Sequence, residues 1–383
     1  MKLTINTALF QEMVAKAVKG AGMSNDLYIT QLMSISLKDN RLTLETTDNN
    51  NYLYVTQDKV AGDDFTVVVA VDKFSKLISK LTCENVTLEI PLAKAGELDR
   101  LVVKGNGKYT IELPYDENGE LIEFPDPLAT TDGNFWSTGE TQLSTVKHIL
   151  STAKAALLVG KEDMCYSDYY VGNRVVSTDT YKICGINIKM FDEPKLISPQ
   201  LMDLLDVMSS ENIDIRYNNE TVIFETPDVT VYGLVDEGIS DYQIDAISGL
   251  LDEEFPSSCK IDKQELTQML DRLSLFVDVF DKNSVYLTFT NDGLMVSSKQ
   301  DSGSEIISYK ESNNFKAYTC CLDIDLFKTQ VKAYQDELIE MFYGKDNSIK
   351  LMNGNTVQII ALAEDDRDSE EESSDEGVPF DED

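Results

Sequence analysis

The sequence predicts an α+β protein made of three copies of one domain, each with two helices packed on antiparallel sheets. The first observation behind this prediction is a capped helix that runs into a strand, at residues 71–90 and again at 198–217. Both the helix and the strand are displaced by 127 residues between these copies, and a third copy lies at 323–342 with an offset near 125. Self-similarity at a fixed period indicates repeated structural units.

The second observation is that two further elements precede each of these units in the same order. Strands that end in a Thr-Asp or Asn-Asp-Gly turn lie at residues 41–48, 175–179 and 285–293. Amphipathic helices open the three copies at residues 7–19, 141–156 and 263–277. Because two helices and their strands recur in order, a chance likeness of three ordinary α+β domains is the weaker interpretation.

Composition and proline position place the domain boundaries. Phe-Pro elements at 124–125 and 255–256 are each followed by a polar stretch, which is typical of a linker. The last 20 residues hold 12 acids and one arginine. They have too few apolar side chains to fold alone. The predicted division is 1–128, 129–256 and 257–363, followed by a disordered acidic tail at 364–383.

Little in the sequence suggests catalysis. The chain has one histidine, His148, and six cysteines without a Cys-x-x-Cys pair, which excludes most histidine-based catalysis and most zinc sites. No Gly-rich phosphate loop or nucleophile elbow is present. We therefore expect no enzyme, no cofactor and no metal. No apolar stretch reaches the about 20 residues of a membrane helix, and no signal-peptide core is present, so a cytoplasmic protein is expected.

Several stretches resemble the bacterial-type β sliding clamps, the family of the DNA polymerase III β subunit. Residues 176–183, Val-Ser-Thr-Asp-Thr-Tyr-Lys-Ile, are similar to the family motif Ala-Thr-Asp-Gly-His-Arg-Leu. Residues 238–242, Gly-Ile-Ser-Asp-Tyr, resemble its Phe-Pro-Asp-Tyr segment, and residues 1–5 and 42–48 resemble two of its strands. The similarity runs over about residues 1–363. Whether the chain is a chromosomal or a viral member stays open.

The resemblance implies a processivity factor, a ring of two chains joined head to tail as a homodimer around duplex DNA. Helices would line the hole, and the six predicted helices, at 7–20, 72–82, 142–156, 199–209, 262–277 and 323–334, can be tested against this. Apart from cap-like acids they carry 11 basic and 6 acidic residues, whereas the whole chain has 33 and 68. The residues expected to face DNA are Lys16, Lys19, Lys73, Lys76, Lys80, Lys147, Lys154, Arg272, Lys328 and Lys332.

These contacts would be to phosphates and therefore independent of DNA sequence. For any single lysine, a role in offsetting the helix dipole or solvating a helix face is an alternative. The net charge of −35 would by itself repel nucleic acid. It also supports another hypothesis, in which the chain is an acidic protein-binding scaffold or DNA mimic that does not encircle DNA.

The family also implies a pocket in which the DNA polymerase and the clamp loader insert short linear peptides, and a dimer interface between sheet edges. The matching pocket residues are Met164, Thr178, Tyr181, Lys182, Ile183, Ile359, Ile360 and Leu362. The matching interface residues are Tyr109, Ile111, Leu275 and Phe276. For the aliphatic pocket residues and for all four interface residues, packing in the core of their own domain is an equally good interpretation.

The sequence departs from the family motif at two places. Thr180-Tyr181-Lys182 replaces Gly-His-Arg, and the chain continues past Glu364 into the acidic tail. Peptide specificity can therefore differ from that of the family. The tail could compete for the channel, recruit a partner through residues 378–380, or only keep the protein soluble, and we favour the last role.

Overall fold

The computed structural model of the protein describes residues 1–22, 27–91, 100–130, 136–160, 165–235, 238–277, 283–299 and 302–364. The chain divides into two compact units. One holds residues 1–147 and 197–237, and the other holds residues 148–196 and 238–383. No helix among the described residues is long and apolar enough to cross a membrane.

In the described part of the first repeat, two helices and eight strands are present, and the strands follow two sheet orders. The elements are β1 Lys2–Asn6, α1 Thr7–Ala17, β2 Leu32–Lys38, β3 Arg41–Thr47, β4 Asn51–Gln57, β5 Phe65–Ala70, α2 Val71–Ser79, β6 Asn85–Glu89, β7 Arg100–Lys104 and β8 Lys108–Glu112. The strand orders are β1-β6-β7-β8 and β5-β2-β3-β4. The helices pack through Phe10 and Phe74, whose ring centroids are 6.1 Å apart with the edge of one ring on the other.

The second repeat follows the same order of elements, with one additional helix at each end. It comprises α3 Pro127–Thr130, β9 Ser137–Gln142, α4 Leu143–Thr152, β10 Tyr169–Val171, β11 Val175–Thr178, β12 Lys182–Ile186, β13 Lys195–Ile197, α5 Pro199–Leu204, β14 Asn212–Tyr217, β15 Thr221–Glu225, β16 Val229–Leu234 and α6 Ile244–Asp252. Its strands are ordered β9-β14-β15-β16 and β13-β10-β11-β12, which repeats the two orders of the first copy.

The third repeat has one additional strand. Its elements are β17 Ser257–Asp262, α7 Lys263–Leu273, β18 Ser284–Phe289, β19 Leu294–Ser298, β20 Ser304–Ile307, β21 Glu311–Asn313, β22 Tyr318–Asp323, α8 Ile324–Ala333, β23 Leu338–Tyr343, β24 Ser348–Asn353 and β25 Thr356–Ala361. The two orders recur as β17-β23-β24-β25 and β22-β18-β19-β20, with β21 added beside β17. Single 3₁₀ turns lie at Val18–Gly20, Tyr28–Gln31, Ala153–Ala156, Cys165–Ser167, Leu205–Val207 and Gly238–Asp241.

The predicted α+β class and all six predicted helices are confirmed. Polar side chains cap α1, α5, α7 and α8, whereas α2 begins after Ala70, which makes no side-chain cap. The Ser198 side chain accepts a hydrogen bond from the Leu201 backbone N–H at 3.1 Å, which starts α5. Asp323 starts α8 in the same way. Three of the helices end in a 3₁₀ turn, so their α-helical parts are shorter than the apolar pattern predicts.

Successive repeats are joined by one rule of strand pairing. In the first unit β4 pairs with β16, so that the register places Tyr52 opposite Tyr232. In the second unit β12 pairs with β25, with Ile183 opposite Ile359. Each junction therefore joins equivalent strands. The strand that ends the order β5-β2-β3-β4, or its counterpart β12, pairs with the strand that ends the order β9-β14-β15-β16, or its counterpart β25. β20 is the counterpart of β4 and β12 in the third repeat, and β8 is the counterpart of β16 and β25 in the first. Among the described residues, each of these two strands ends a four-stranded sheet.

Candidate functional sites

Three of the lysines predicted to face DNA are exposed and unpaired. They are Lys73 on α2, Lys80 at its end and Lys147 on α4. Among the described residues, no carboxylate oxygen lies within 4.0 Å of their Nζ atoms. Their charges are available to a phosphate without first breaking an ion pair. Lys154, in the 3₁₀ turn after α4, is exposed as well.

Three other predicted lysines are exposed but have an acidic neighbour. Lys19 lies 3.9 Å from Asp206, Lys76 lies 2.5 Å from Asp72, and Lys332 lies 3.6 Å from Asp271. Exposed pairs of this kind contribute about 0–1 kcal/mol, because water screens both charges. These lysines can therefore exchange a carboxylate for a phosphate at small cost.

Lys16 and Lys328 are placed differently, because about four-fifths of each side chain is buried in an ion pair. The Lys16 Nζ lies 3.0 Å from Asp228 and 3.2 Å from Glu12. Burial works against its charge, but the hydrogen bonds and charges of these two acids outweigh it and raise the pKa of Lys16. Lys328 lies 2.6 Å from Asp271. Both lysines hold the fold together more directly than they offer charge to a ligand.

Arg272 near the end of α7 is engaged by Glu305 on β20. The guanidinium donates from Nε to Glu305 Oε1 at 2.8 Å and from a terminal nitrogen to Oε2 at 2.6 Å. A two-point pair with a carboxylate satisfies the planar fork of the guanidinium. The predicted DNA-facing residues thus differ in their pairing. Some have no carboxylate nearby among the described residues, some form exposed ion pairs that a phosphate could replace, and Lys16, Lys328 and Arg272 form closer pairs within the fold.

The predicted pocket motif forms a tight turn between β11 and β12. Thr178 Oγ1 donates to the Lys182 carbonyl at 2.8 Å, and Asp179 Oδ1 accepts from the Tyr181 and Lys182 backbone N–H groups at 3.0 and 2.7 Å. Lys182 Nζ also pairs with Asp179 at 3.1 Å. Thr180 has a φ of 76°. This arrangement leaves the ring of Tyr181 projecting into solvent.

The aliphatic residues of the predicted pocket lie in two clusters. Ile183 and Ile359 face each other across β12 and β25 and belong to one apolar cluster. Ile360, the next residue on β25, lies in the core of the third repeat, and Leu362 packs against the same core. The split follows from the strand, in which successive side chains point to opposite faces. Met164 lies outside the described residues.

Sequence reasoning missed the helix that covers the first of these clusters. In α6, Ile247 and Leu251 are buried in the cluster, while Ile244 and Leu250 are only partly covered. Leu251 packs so closely over Gly185 that a Cβ there would lie 2.6 Å from its Cδ1. The spacing of these apolar residues at three and four positions is a helix signal that could have revealed α6.

Aromatic rings extend the same apolar surface. The ring of Tyr242 lies 5.1 Å from that of Tyr166 and 5.3 Å from that of Tyr170, measured between centroids. Its hydroxyl donates to the Val176 carbonyl at 3.3 Å. Tyr166 and Tyr170 are only partly buried. Together with Ile244 and Leu250 they form a partly exposed apolar surface, which we call the α6 groove.

The predicted dimer residues lie at or beside two of the edge strands, β8 and β20. Leu275 is 80% exposed and Phe276 is 52% exposed, just after α7. Tyr109 on β8 is partly exposed, whereas Ile111 is buried and packs within its own repeat. Sequence reasoning missed Ile306, which is 57% exposed on β20 and points away from the core, next to the buried Ile307.

Other reactive side chains have structural surroundings. His148 Nε2 lies 2.9 Å from Thr356 Oγ1, and burial lowers the pKa of its imidazole. Burial also raises the pKa of the Cys184 and Cys259 thiols to about 12, so both are thiols at neutral pH. Within the described residues, no group of histidine, cysteine and acidic side chains is arranged to hold a metal ion.

Comparison with known proteins gives a likeness in structure. No family profile and no curated protein matches the sequence. The DNA polymerase III subunit β of Borrelia burgdorferi matches with a TM-score of 0.80 at 16% identity, over 95% of this chain and 99% of that one. The DNA polymerase sliding clamp of Bacillus subtilis matches at 0.77 and 15%, and the DNA polymerase III β subunit of Thermotoga maritima at 0.76 and 18%, each with the same coverage.

Proposed function

We propose that this chain, which has the fold of the bacterial β sliding clamps, is itself a sliding clamp. In this proposal two copies join head to tail into a ring that encircles duplex DNA, without reading its sequence. The ring tethers a DNA polymerase, and is handled by a clamp loader, through short linear peptides. It works in the cytoplasm, performs no catalysis and is built from the three repeats delimited above at residues 128, 256 and 363.

The observation that carries this proposal is the pairing rule of the sheets. At the two junctions within the chain, β4 pairs with β16 and its counterpart β12 pairs with β25, the counterpart of β16. One strand of each type, β20 and β8, is left at a sheet edge. The same rule applied between two copies pairs β20 of one with β8 of the other, and the reciprocal pair closes the assembly. Pairing would also protect both edges from aggregation.

The apolar side chains beside these edges support the same contact. Leu275, Phe276 and Ile306 are exposed within one short region at the end of α7 and on β20. Tyr109 is exposed on the other edge strand of the proposed contact, β8. Exposed apolar groups that are grouped rather than scattered are typical of an interface. Ile111 would contribute through its backbone, because its side chain is already buried.

Charge placement supports the contact with DNA. Lys73, Lys80 and Lys147 present unpaired charges on three helix positions of a protein whose net charge is −35. Contacts that release counterions from phosphates are weak and salt-sensitive. Retention on DNA would then depend on enclosure by the ring, which is compatible with sliding.

The α6 groove is the place we assign to partner peptides. Ile183 and Ile359 are its buried part, and Ile244, Leu250 and Tyr170 are its partly exposed part. Apolar pockets with a few polar groups at their margin suit the side chains of short linear peptides. The exposed Tyr181 would supply such a polar group. The turn that presents it is held to β25, since the Tyr181 carbonyl accepts from the Ala361 backbone N–H at 2.9 Å.

An acidic scaffold or DNA mimic is the second candidate, favoured by the net charge of −35. Assembly around DNA separates the two. Dilute monomers are mixed with nicked circular plasmid and concentrated, so that rings can close around the duplex without a loader. For a clamp, light scattering gives twice the chain mass of 42.9 kDa, and bound protein stays on circular DNA at raised salt but is lost after linearisation.

Equal retention on circular and linear DNA would overturn enclosure, and a monomer at every concentration would overturn the ring. A dimer that is never retained on DNA would favour the scaffold. Leu275→Lys tests the interface, because it places a charge at the proposed contact. Val159→Lys is its matched control, since Val159 is also exposed but lies on neither free edge.

A further inference from the structure

One end of the eight-stranded sheet is formed by β5. Among the described residues, β2 is the only strand that pairs with it. An edge of this kind offers backbone N–H and C=O groups to a further strand. The counterpart of β5 in the third repeat is β22, because β5 runs directly into α2 as β22 runs into α8.

In the third repeat the chain itself bridges this edge. After β25, the Ala363 backbone N–H donates to the Cys321 carbonyl on β22 at 2.8 Å. The strand registers make Pro114 the counterpart of Ala363 and Val68 the counterpart of Cys321. Proline has no backbone N–H, so the equivalent bond to Val68 cannot form. The edge of β5 therefore lacks the bridge that β22 has.

A cavity of about 420 Å³ lies beside this edge, and we call it the β5 cavity. Its volume falls in the range of about 300–1,000 Å³ that is typical of ligand pockets. Most of its lining is apolar, and part of that lining is exposed to solvent. The lining residues are Thr66, Val67, Val68, Leu113, Pro114, Leu121, Ile122, Glu123 and Phe124.

One wall of the β5 cavity is a turn held by its own hydrogen bonds. Asp116 Oδ1 accepts from the Asn118 and Glu120 backbone N–H groups at 2.9 and 2.8 Å. The Ile122 backbone N–H donates to the Pro114 carbonyl at 3.3 Å. Because this wall is already ordered, binding of a ligand against it costs little conformational entropy.

The charge around the β5 cavity is negative. Residues 112–123 hold five acids and no lysine or arginine. Glu120 and Glu123 are exposed, and the hydrogen bond from the Glu120 backbone lowers the pKa of Asp116. These charges repel the phosphates of DNA and the acidic segment at 364–383, and they attract a cationic ligand.

We infer that the β5 edge and the β5 cavity form a second binding site, to which a protein partner adds an extended basic peptide as a further strand. An aromatic side chain of that strand fills the cavity. Lysine or arginine residues two positions away on either side lie on the same face and meet the acidic turn. The site shares no residue with the α6 groove, and the inference does not depend on enclosure of DNA.

The probe is a fluorescently labelled pentapeptide amide, Lys-Thr-Phe-Thr-Lys, whose Phe and Lys side chains share one face of an extended strand. Binding to the full chain is measured by fluorescence anisotropy at about 150 mM salt. We expect saturable binding, and about tenfold weaker binding of Lys-Thr-Ala-Thr-Lys, because the lost ring leaves apolar surface of the cavity in water.

Backbone N-methylation of the same peptide tests strand addition. Methyl groups on the two Thr nitrogens block one edge of the extended peptide, and a methyl group on the Phe nitrogen blocks the other edge. Only one edge of the peptide faces β5. One pattern should therefore abolish binding, while the other should leave it nearly unchanged.

Charge reversal separates the acidic turn from the general attraction of a cation to a protein of net charge −35. In Glu120→Lys, Glu123→Lys, the preference for the probe over Glu-Thr-Phe-Thr-Glu should fall about tenfold, since two exposed ion pairs are lost. Glu220→Lys, Glu337→Lys is the matched control, because it changes the net charge equally at exposed acids outside the turn. It should reduce the preference far less.

Val68→Phe places a ring in the β5 cavity and should abolish binding of the probe, with folding of all variants checked by thermal melting. The inference would be overturned by equal binding of the Phe and Ala peptides, by equal effects of the two methylation patterns, or by an equal fall in preference in the two charge-reversed proteins. Tighter binding of the Glu-flanked peptide would also overturn it, and would indicate the acidic segment of the chain itself as the occupant.

Discussion

Arg272 and Glu305 form a two-point ion pair, with donor–acceptor distances of 2.8 and 2.6 Å, that ties the end of α7 to the edge strand β20. Sequence reasoning assigned Arg272 to DNA. That assignment stays a prediction, and the pair also places Arg272 beside the proposed dimer contact, because Leu275 and Phe276 follow on the same segment.

Replacement of Arg272 by alanine should therefore weaken the dimer several-fold and leave the salt dependence of DNA binding nearly unchanged. The pair orients the exposed apolar residues relative to β20, and its loss frees both. Dimer dissociation is measured by light scattering on dilution, with Lys332→Ala as the control. A normal dimer together with a smaller salt slope would contradict this role and support the assignment of Arg272 to DNA.

The double variant Lys73→Ala, Lys80→Ala should weaken DNA binding and reduce its dependence on salt. Each lysine that contacts a phosphate contributes about 0.9 to the slope of log K against log salt concentration. The slope is measured by fluorescence anisotropy on a labelled duplex. Lys316→Ala, at an exposed lysine outside the predicted helices, should not change it. Equal slopes for all three proteins would contradict the assignment.

Asp228 accepts hydrogen bonds from Lys16 Nζ at 3.0 Å and Ser209 Oγ at 2.9 Å. Burial opposes its ionisation, but the bonds from Lys16 and Ser209 prevail and lower its pKa. Its stabilising effect is present above the ordinary carboxyl pKa and is lost as the pH falls through the lowered value. Asp228→Asn should thus cost about 1 kcal/mol at pH 7 and less near pH 3.

Denaturant unfolding at the two pH values measures this difference. The control is Asp58→Asn, since Asp58 and Arg41 form an exposed pair at 3.6 Å whose loss should change little. A cost for Asp228→Asn that does not fall with the pH would show that its effect is not due to charge.

Glu45 should make the protein less stable at alkaline pH. Its pKa is raised by burial and by Asp126 to about 8, above the unfolded value, so the folded state holds the proton more tightly. The stabilising effect of the proton is complete below the unfolded pKa and is lost as the pH rises towards 8.

Glu45→Gln removes this loss. Relative to the wild type, its free energy of unfolding should rise between pH 5 and pH 9 by an amount on the order of 3 kcal/mol. Urea unfolding at both pH values provides the measurement, and Glu12→Gln, at an exposed acid, serves as control. A constant difference between Glu45→Gln and the wild type would refute the raised pKa.

Thr180 adopts a left-handed conformation with φ of 76° in the turn between β11 and β12. A β-branched residue is strained there, whereas glycine is not. Thr180→Gly should raise the free energy of unfolding by about 0.5–1 kcal/mol. Asn49, at φ of 89° in the equivalent turn of the first repeat, tolerates this region better, so Asn49→Gly should change stability less. Thermal melting compares the two variants.

Much of the fold could be predicted because its signals are local. The caps at Ser198 and Asp323 and the helical spacing of apolar residues act over a few positions, so they can be recognised in the sequence. Helix α6 carries the same signal but was missed, since its sequence also contains Gly249 and follows a segment assigned by resemblance. Tyr52, opposite Tyr232, and Ile183, opposite Ile359, hold the same position in the two junctions between repeats. This match needs the strand register, which only strand pairing supplies.

The sequence by itself determined the threefold order of elements, the excess of basic residues on the helices and the family resemblance. Only the tertiary structure decided which charges are free. Lys16 is committed to Asp228, 212 residues away, whereas Lys73 keeps an unpaired ammonium group, and no local pattern separates them. The reason is physical, since the charge that a side chain offers to a ligand depends on the carboxylates that folding brings near it, and those come from distant parts of the chain.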